Sequence, residues 1–239
     1  MLVGYAATSV NNNPLCTAPS DIISRMDRKD LRDLLDIGTV RHYKKGELIF
    51  RAGDLGDNIH LLRRGRAKIY QISTLGRQVI LWFCFPGEIF GLAEMATGAR
   101  RVVNAQAYEN TDTVCVARQH FRSYIECHAK AASLVTEILS CRLRVSSDTL
   151  VNLIDDHAMI RIIKLILRLG TCYGARVDDE VHLNVRMTHQ EIADMVGATR
   201  QTVTMILNQL KRDGLLGINN HQIHIKKRDR LCKMAQSVC

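Results

Sequence analysis

Between positions 188 and 204 the chain carries Thr188, Gln190, Arg200, Gln201, Thr202 and Thr204, six side chains whose polar ends suit the surface of a DNA duplex. Arg200 and Gln201 have donors and acceptors that can reach base edges, where sequence is read. Thr188, Gln190 and Thr202 suit phosphate oxygens, which fix register without reading sequence. Thr204 lies four residues past Arg200, on the same open helical face as Asn208 and Lys211.

Two short helices joined by a tight turn would hold these groups in place. Thr188 and Glu191 have the spacing of a capping box, and Met187 and Ile192 that of a hydrophobic staple around it. The first helix is expected to stop at Gly197, which tolerates a left-handed helix end, and Thr199 can cap the second. Val203, Ile206, Leu207 and Leu210 recur at helical spacing and should face inward. An ordinary helical hairpin with a solvated polar face would share this periodicity. Two further features favour a helix-turn-helix that sets its second helix in the major groove. Leu215 to Ile225 alternates apolar and polar residues about a turn expected at Asn219-Asn220, which predicts a small β wing. Residues 157–239 also hold 13 Lys and Arg against 7 Asp and Glu, so +6 of the formal charge of +9 lies there.

The chain of 239 residues allows two domains, and its 46% hydrophobic and 24% charged residues describe an ordinary globular composition. An isoelectric point near 9.3 points to polyanionic partners, with nucleic acid favoured over membrane. No apolar run approaches the roughly 20 residues of a membrane helix, and no secretory signal is evident, so a cytoplasmic protein is expected. The eight cysteines contain no C-x-x-C pair, which argues against a zinc ribbon, and no metal site is expected. H-E-x-x-H, G-x-S-x-G and phosphate-loop motifs are all absent, so an enzyme is not expected.

Read in order, residues 1–20 form an N-terminal arm, and Asp21 to Asp36 has the pattern of a modest amphipathic helix. From His42 to Arg118, short apolar runs are punctuated by Gly53, Gly65, Gly76, Gly87 and Gly98, a spacing of short strands in a barrel or sandwich. A β domain is therefore expected over 21–123. Residues 124–156 read as a long helix, either a buried core helix or a two-stranded interface. Because helix-turn-helix proteins usually dimerise across two half-sites, the interface is favoured, with Leu134, Ile138, Cys141 and Val145 as its seam and Leu139, Leu143, Leu150 and Leu153 as a neighbouring stripe. Residues 157–239 form the winged helix-turn-helix domain. The fold class expected is α+β: an N-terminal β-roll, a long dimerisation helix and a C-terminal winged helix-turn-helix.

This order resembles the catabolite activator protein / fumarate-nitrate regulator (CRP/FNR) family of transcription regulators. The resemblance rests on Pro86-Gly87-Glu88 with Phe90-Gly91, on Arg142 to Ser147, and on Gln190-Glu191-Ile192, Val196-Gly197 and Thr199 to Val203. It implies a homodimer that binds double-stranded DNA and RNA polymerase and senses a small effector in the β-roll. Carried over residue by residue, it implies effector contacts at Gly91, at Arg101 for a phosphate, and at Ser146 and Ser147 for an adenine. The chain departs from the cyclic-nucleotide pattern at Leu92, where the family places an acid for the ribose, and at Val102, where it places Ser or Thr. The recognition helix departs too, with Gln201 and Met205 where the family's readers carry Glu and a second Arg. An effector other than cyclic AMP is therefore expected, with a cyclic-AMP-dependent activator or a redox or gas sensor as alternatives. The family's oxygen-sensing branch holds an iron–sulfur cluster through several cysteines of the arm. This arm offers only Cys16 beside Cys115, so a cluster is not expected, whereas haem is left open. A regulatory cyclic-nucleotide module serving an enzyme is a further alternative, against which the basic C-terminal domain argues.

Overall fold

The computed structural model of the chain describes residues 22–236. The arm and Cys16 lie outside the described residues. Helix α1 spans Arg28–Asp36 rather than the whole of 21–36, because the backbone N–H of Ile22 bonds the carbonyl of Gly87 at 2.9 Å and ties the preceding segment to the β-roll as turns. Eight strands follow: β1 (Thr39–Tyr43), β2 (Leu48–Phe50), β3 (Asn58–Arg64), β4 (Ala67–Ile72), β5 (Gln78–Cys84), β6 (Ile89–Phe90), β7 (Asn104–Ala107) and β8 (Thr111–Ala117). They form two antiparallel sheets, ordered β1-β8-β3-β6 and β2-β7-β4-β5. The recurring glycines of the sequence, from Gly53 to Gly98, all sit in turns with positive φ, where a side chain would be strained.

The expected helix over 124–156 is two helices, α2 (Arg118–Cys127) and α3 (Ala129–Asp155). The break falls at His128, which leaves helical geometry at ψ 83°. Its ring stacks on Tyr124 at 4.1 Å and hydrogen-bonds the Tyr124 carbonyl at 2.8 Å.

The packing of α3 buries half of the expected dimer seam within the chain itself. Leu134 and Ile138 are only 7% and 4% exposed, packed with Leu34, Ile59, Ile89 and Phe121 of the same chain. Cys141 and Val145 are half-buried along the inner face. The apolar residues that α3 leaves outside are Leu139, Leu143, Leu150, Val151, Leu153 and Ile154, with Leu143 at 69% and Ile154 at 76% exposure.

The C-terminal domain is built on α4 (Ala158–Tyr173), whose Ile162, Ile163, Ile166 and Leu167 are all buried. A helix apolar on nearly all sides belongs at the centre of a domain. Around it lie β9 (Gly174–Val177), β10 (Glu180–Arg186), α5 (His189–Val196), α6 (Arg200–Arg212), β11 (Leu216–Asn219), β12 (Gln222–Ile225) and α7 (Arg228–Gln236). The sheet order is β11-β12-β10-β9. The wing turn sits one residue later than expected, with Asn220 and His221 at φ 48° and 62° and Asn219 already paired with Gln222. Two consecutive positive φ values match the right-handed twist of a tight hairpin. The backbone N–H of Met187 donates to the His221 carbonyl at 3.1 Å and fixes that turn against the entry to α5.

The core of this domain continues into the β-roll. Ile80 and Phe83 of β5 belong to the same buried cluster as α4, α5 and α6, so the two domains are packed together.

Candidate nucleic-acid interface and the inter-domain cleft

The helix-turn-helix is assembled as its sequence predicts. Thr188 Oγ1 accepts from the backbone N–H of Glu191 at 3.2 Å, and Glu191 Oε2 accepts from the backbone N–H of Thr188 at 2.8 Å. Met187 and Ile192 are both buried beneath this cap. Gly197 ends α5 at φ 64°, and Thr199 Oγ1 accepts from the backbone N–H of Thr202 at 3.1 Å to begin α6. Val203, Ile206, Leu207 and Leu210 are buried, each stabilising the domain by about 1.5–3 kcal/mol if fully removed from water. A residue not singled out in the sequence holds the turn: Arg161 of α4 donates from Nε to the Val196 carbonyl at 2.8 Å and from Nη1 to the Asp156 carbonyl at 2.6 Å. Helix ends leave carbonyls unpaired, and a cation there satisfies them while complementing the dipole.

The six predicted DNA-contact residues fall into two groups. Arg200 and Gln201 are exposed on the first turn of α6, and among the described residues neither side chain is hydrogen-bonded. The other four are already engaged. Thr188 closes the capping box, and Gln190 Nε2 donates to Asp194 Oδ1 at 2.7 Å. Thr202 Oγ1 pairs with Thr199 Oγ1, while Thr204 Oγ1 donates to the Arg200 carbonyl and meets His189 Nδ1 at 2.8 Å.

A cleft of about 1430 Å3 lies between the β-roll, α3 and the helix-turn-helix, and Arg200, Gln201 and Gln190 line it opposite Arg77 and Gln78. Polar bonds cross between the domains beside it. Gln78 Nε2 donates to Asp194 Oδ2 at 3.3 Å, and the hydroxyl of Tyr108 donates to Glu191 Oε2 at 3.0 Å. Burial and the adjacent Glu191 carboxylate push the Tyr108 phenol up to about 12, so it remains a donor. The Tyr173 hydroxyl likewise donates to Glu88 Oε1 at 3.0 Å, with its ring against Phe85 at 3.9 Å. Tyr108, Gln78, Asp194 and Tyr173 carry no motif, and only their cross-domain pairing marks them.

Of the residues expected to hold an effector, Gly91 and Arg101 meet directly, while Ser146 and Ser147 lie on α3. Arg101 is buried, its Nη1 donating to Glu94 Oε2 at 2.5 Å and to the Gly91 carbonyl at 2.9 Å, its Nη2 to the Asn58 carbonyl. Its guanidinium also lies 4.3 Å from the centre of the Phe50 ring. Leu92 is packed in the core and Val102 is exposed. Ser146 and Ser147 are exposed on α3, their hydroxyls donating to the carbonyls of Arg142 and Leu143. Ser146 faces the cleft, where Arg142 lies over the Trp82 ring at 5.0 Å. The fit to a cyclic nucleotide is poor: Arg101, to which the resemblance gives the phosphate, is paired with Glu94, and Leu92 offers no acceptor for a ribose hydroxyl. Burial pushes the Cys84 thiol up to about 12 and the Cys115 thiol upward.

The comparisons with known proteins agree with this architecture. The cyclic nucleotide-binding domain model matches residues 40–128, and the Crp-like helix-turn-helix domain model matches residues 160–234. Over 222 residues the chain is 27% identical to the transcriptional activator protein anr of Pseudomonas aeruginosa, covering 93% of this chain and 89% of that one. It is 25% identical over 194 residues to the CRP-like cAMP-activated global transcriptional regulator of Mycobacterium tuberculosis, covering 81% and 87%. The structure of FixK2 from Bradyrhizobium japonicum superposes with a TM-score of 0.73 at 25% identity, covering 82% of this chain and 96% of that one. These relatives are transcription regulators and not enzymes, and among the described residues no helix is long and apolar enough to cross a membrane. With a cyclic nucleotide-binding fold at one end and a Crp-like helix-turn-helix at the other, the chain belongs to the CRP/FNR family of transcription regulators.

Proposed function

We propose that the protein is a homodimeric, effector-responsive transcription regulator of the cytoplasm that reads a palindromic operator and acts on RNA polymerase. The observation that carries the reading is α6, which buries its apolar face completely and leaves Arg200 and Gln201 exposed and unpaired on its first turn. Dimerisation is assigned to a second copy meeting the stripe Leu139, Leu143, Leu150 and Ile154, because four large apolar side chains facing water on one helix are costly unless covered. Regulation is assigned to the docking of the helix-turn-helix on β5. In the docked arrangement Arg200 and Gln201 line the cleft opposite Arg77 and Gln78 of the β-roll. An effector that favours the undocked dimer would shift the population toward DNA binding. The effector is assigned to a molecule other than cyclic AMP, on the strength of the Arg101–Glu94 pair and Leu92.

Selection of sites from random duplex DNA tests the reading. Two inverted half-sites about one helical turn apart, with two chains bound per duplex, are expected. A single asymmetric site bound by one chain would overturn it.

A further inference from the structure

We propose that the wing sheet carries a divalent transition-metal site formed by His182, His224 and Glu180. The strand pattern dictates the cluster. Glu180 and His182 are two apart on β10 and share a face, and His182 is the cross-strand partner of His224 on β12. The three side chains can each present one donor atom within 4.8 Å of the others. Their neighbours in the same row across the sheet are Ala175 on β9 and Gly217 on β11, so small residues flank the two imidazoles on both sides.

The geometry of the imidazoles is that of two ligands on one ion. His224 Nδ1 faces His182 Nε2 at 3.3 Å, with the ring centroids 4.0 Å apart. Two nitrogens bound tetrahedrally to zinc, each at roughly 2.0–2.1 Å, are separated by about 3.3–3.4 Å. Facing lone pairs at this distance repel unless a proton or a cation lies between them. With Nδ1 turned to the site, the proton of neutral His224 sits on Nε2, which is buried without a hydrogen-bond partner among the described residues.

Glu180 completes the set. Its Oε2 lies 3.7 Å from His182 Nε2, and its Oε1 meets Lys226 Nζ at only 3.8 Å. That pair is half-exposed and long, the kind worth little in water, so an ion can take the carboxylate from the lysine. Glu180 and His224 open on a cavity of about 260 Å3 that reaches Lys211 at the end of α6. Two imidazoles, one carboxylate and a position open to water suit zinc or cobalt, and imidazole selects against calcium and magnesium. The ion would tie the wing strand β12 to β10 beside the recognition helix.

The test uses the full-length protein, stripped with a chelator and titrated with Co2+ and Zn2+. One ion per chain at micromolar affinity is expected, with the visible bands of four- or five-coordinate cobalt and a rise in melting temperature with Zn2+. The double variant His182→Ala/His224→Ala should lose at least tenfold in affinity and the whole thermal shift, while His221→Ala keeps both. Should the double variant fail to fold, His182→Gln alone, at a partly exposed position, must show the same loss. Equal binding by wild type and variant, or a thiolate charge-transfer band that implicates a cysteine instead, would overturn the site.

Discussion

The hydroxyl of Tyr108, on the β-roll, donates a 3.0 Å hydrogen bond to Oε2 of Glu191, the carboxylate that also closes the capping box of the first helix of the helix-turn-helix. One oxygen therefore serves both the local fold of the DNA-binding domain and its docking. A hydrogen bond to a charged group contributes about 1.5–3 kcal/mol. Tyr108→Phe should loosen the docked arrangement without disturbing the cap, which keeps its own donors from Thr188. Affinity for duplex DNA in the absence of effector is expected to rise several-fold in fluorescence anisotropy at fixed salt. An unchanged affinity would mean that docking does not limit access to α6.

The side chains of Arg200 and Gln201 have no hydrogen-bond partner among the described residues, and Arg200→Ala tests whether the first reaches a base. The expected cost is about 1–3 kcal/mol on the preferred operator, with discrimination relaxed at one base pair in each half-site. Uniform weakening on every sequence would move Arg200 to the phosphates. Thr204→Ala behaves differently, since its hydroxyl serves His189 and the Arg200 carbonyl, and should reduce domain stability more than base discrimination.

The stripe proposed to meet a second copy gives opposite outcomes for two faces of one helix. Leu143→Asp, at a site 69% exposed, should yield a folded monomer in sedimentation with little change in the melting of the β-roll. Ile138→Asp places an unpaired charge in that core and should destabilise the chain itself by about 3–5 kcal/mol. A dimer that survives Leu143→Asp removes α3 as the interface.

This contrast shows what the sequence made legible. Local codes were readable: the capping box at Thr188 and Glu191, the stop at Gly197 and the inward set of α6 each depend on residues a few positions apart. The seam on α3 was not, because Leu134 and Leu143 carry the same periodic signal and only the fold says which of them meets the β-roll. Arg101 matched a family position, yet its partner Glu94 redirects it inward, and a resemblance cannot reveal such a pairing. His182 and His224 lie far apart in sequence and become neighbours only through strand register.

His60 makes the β-roll sensitive to acid. Its ring is buried against Phe90 at 5.1 Å, and burial, then the charges of Arg101 and Arg41, hold it down to about 3. The unfolded chain takes up this proton near 6.5, the folded chain only near 3, so stability is complete above about pH 6.5 and is lost as pH falls toward 3. Each pH unit in that window costs up to about 1.4 kcal/mol from this group. His60→Phe, a ring without a titrating nitrogen, should flatten the dependence of urea stability between pH 6.5 and 4. An unchanged slope would assign acid sensitivity to other groups.

Cyclic AMP is named for several relatives, and the interior of this β-roll argues against the same ligand here. To hold a phosphate, Arg101 would have to leave the Glu94 carboxylate and two carbonyls, and the ligand's negative charge would then sit beside the abandoned Glu94. Leu92, packed in the core, cannot accept the ribose hydroxyl, and leaving such a group unpaired costs about 1–3 kcal/mol. Both halves of the nucleotide therefore lose their partners. Calorimetry with cyclic AMP should show weak binding or none, and operator affinity should be the same with and without it. Micromolar binding that strengthens operator binding tenfold, a coupling of about 1.4 kcal/mol, would show that Arg101 exchanges its carboxylate for the ligand and that cyclic AMP is the switch after all.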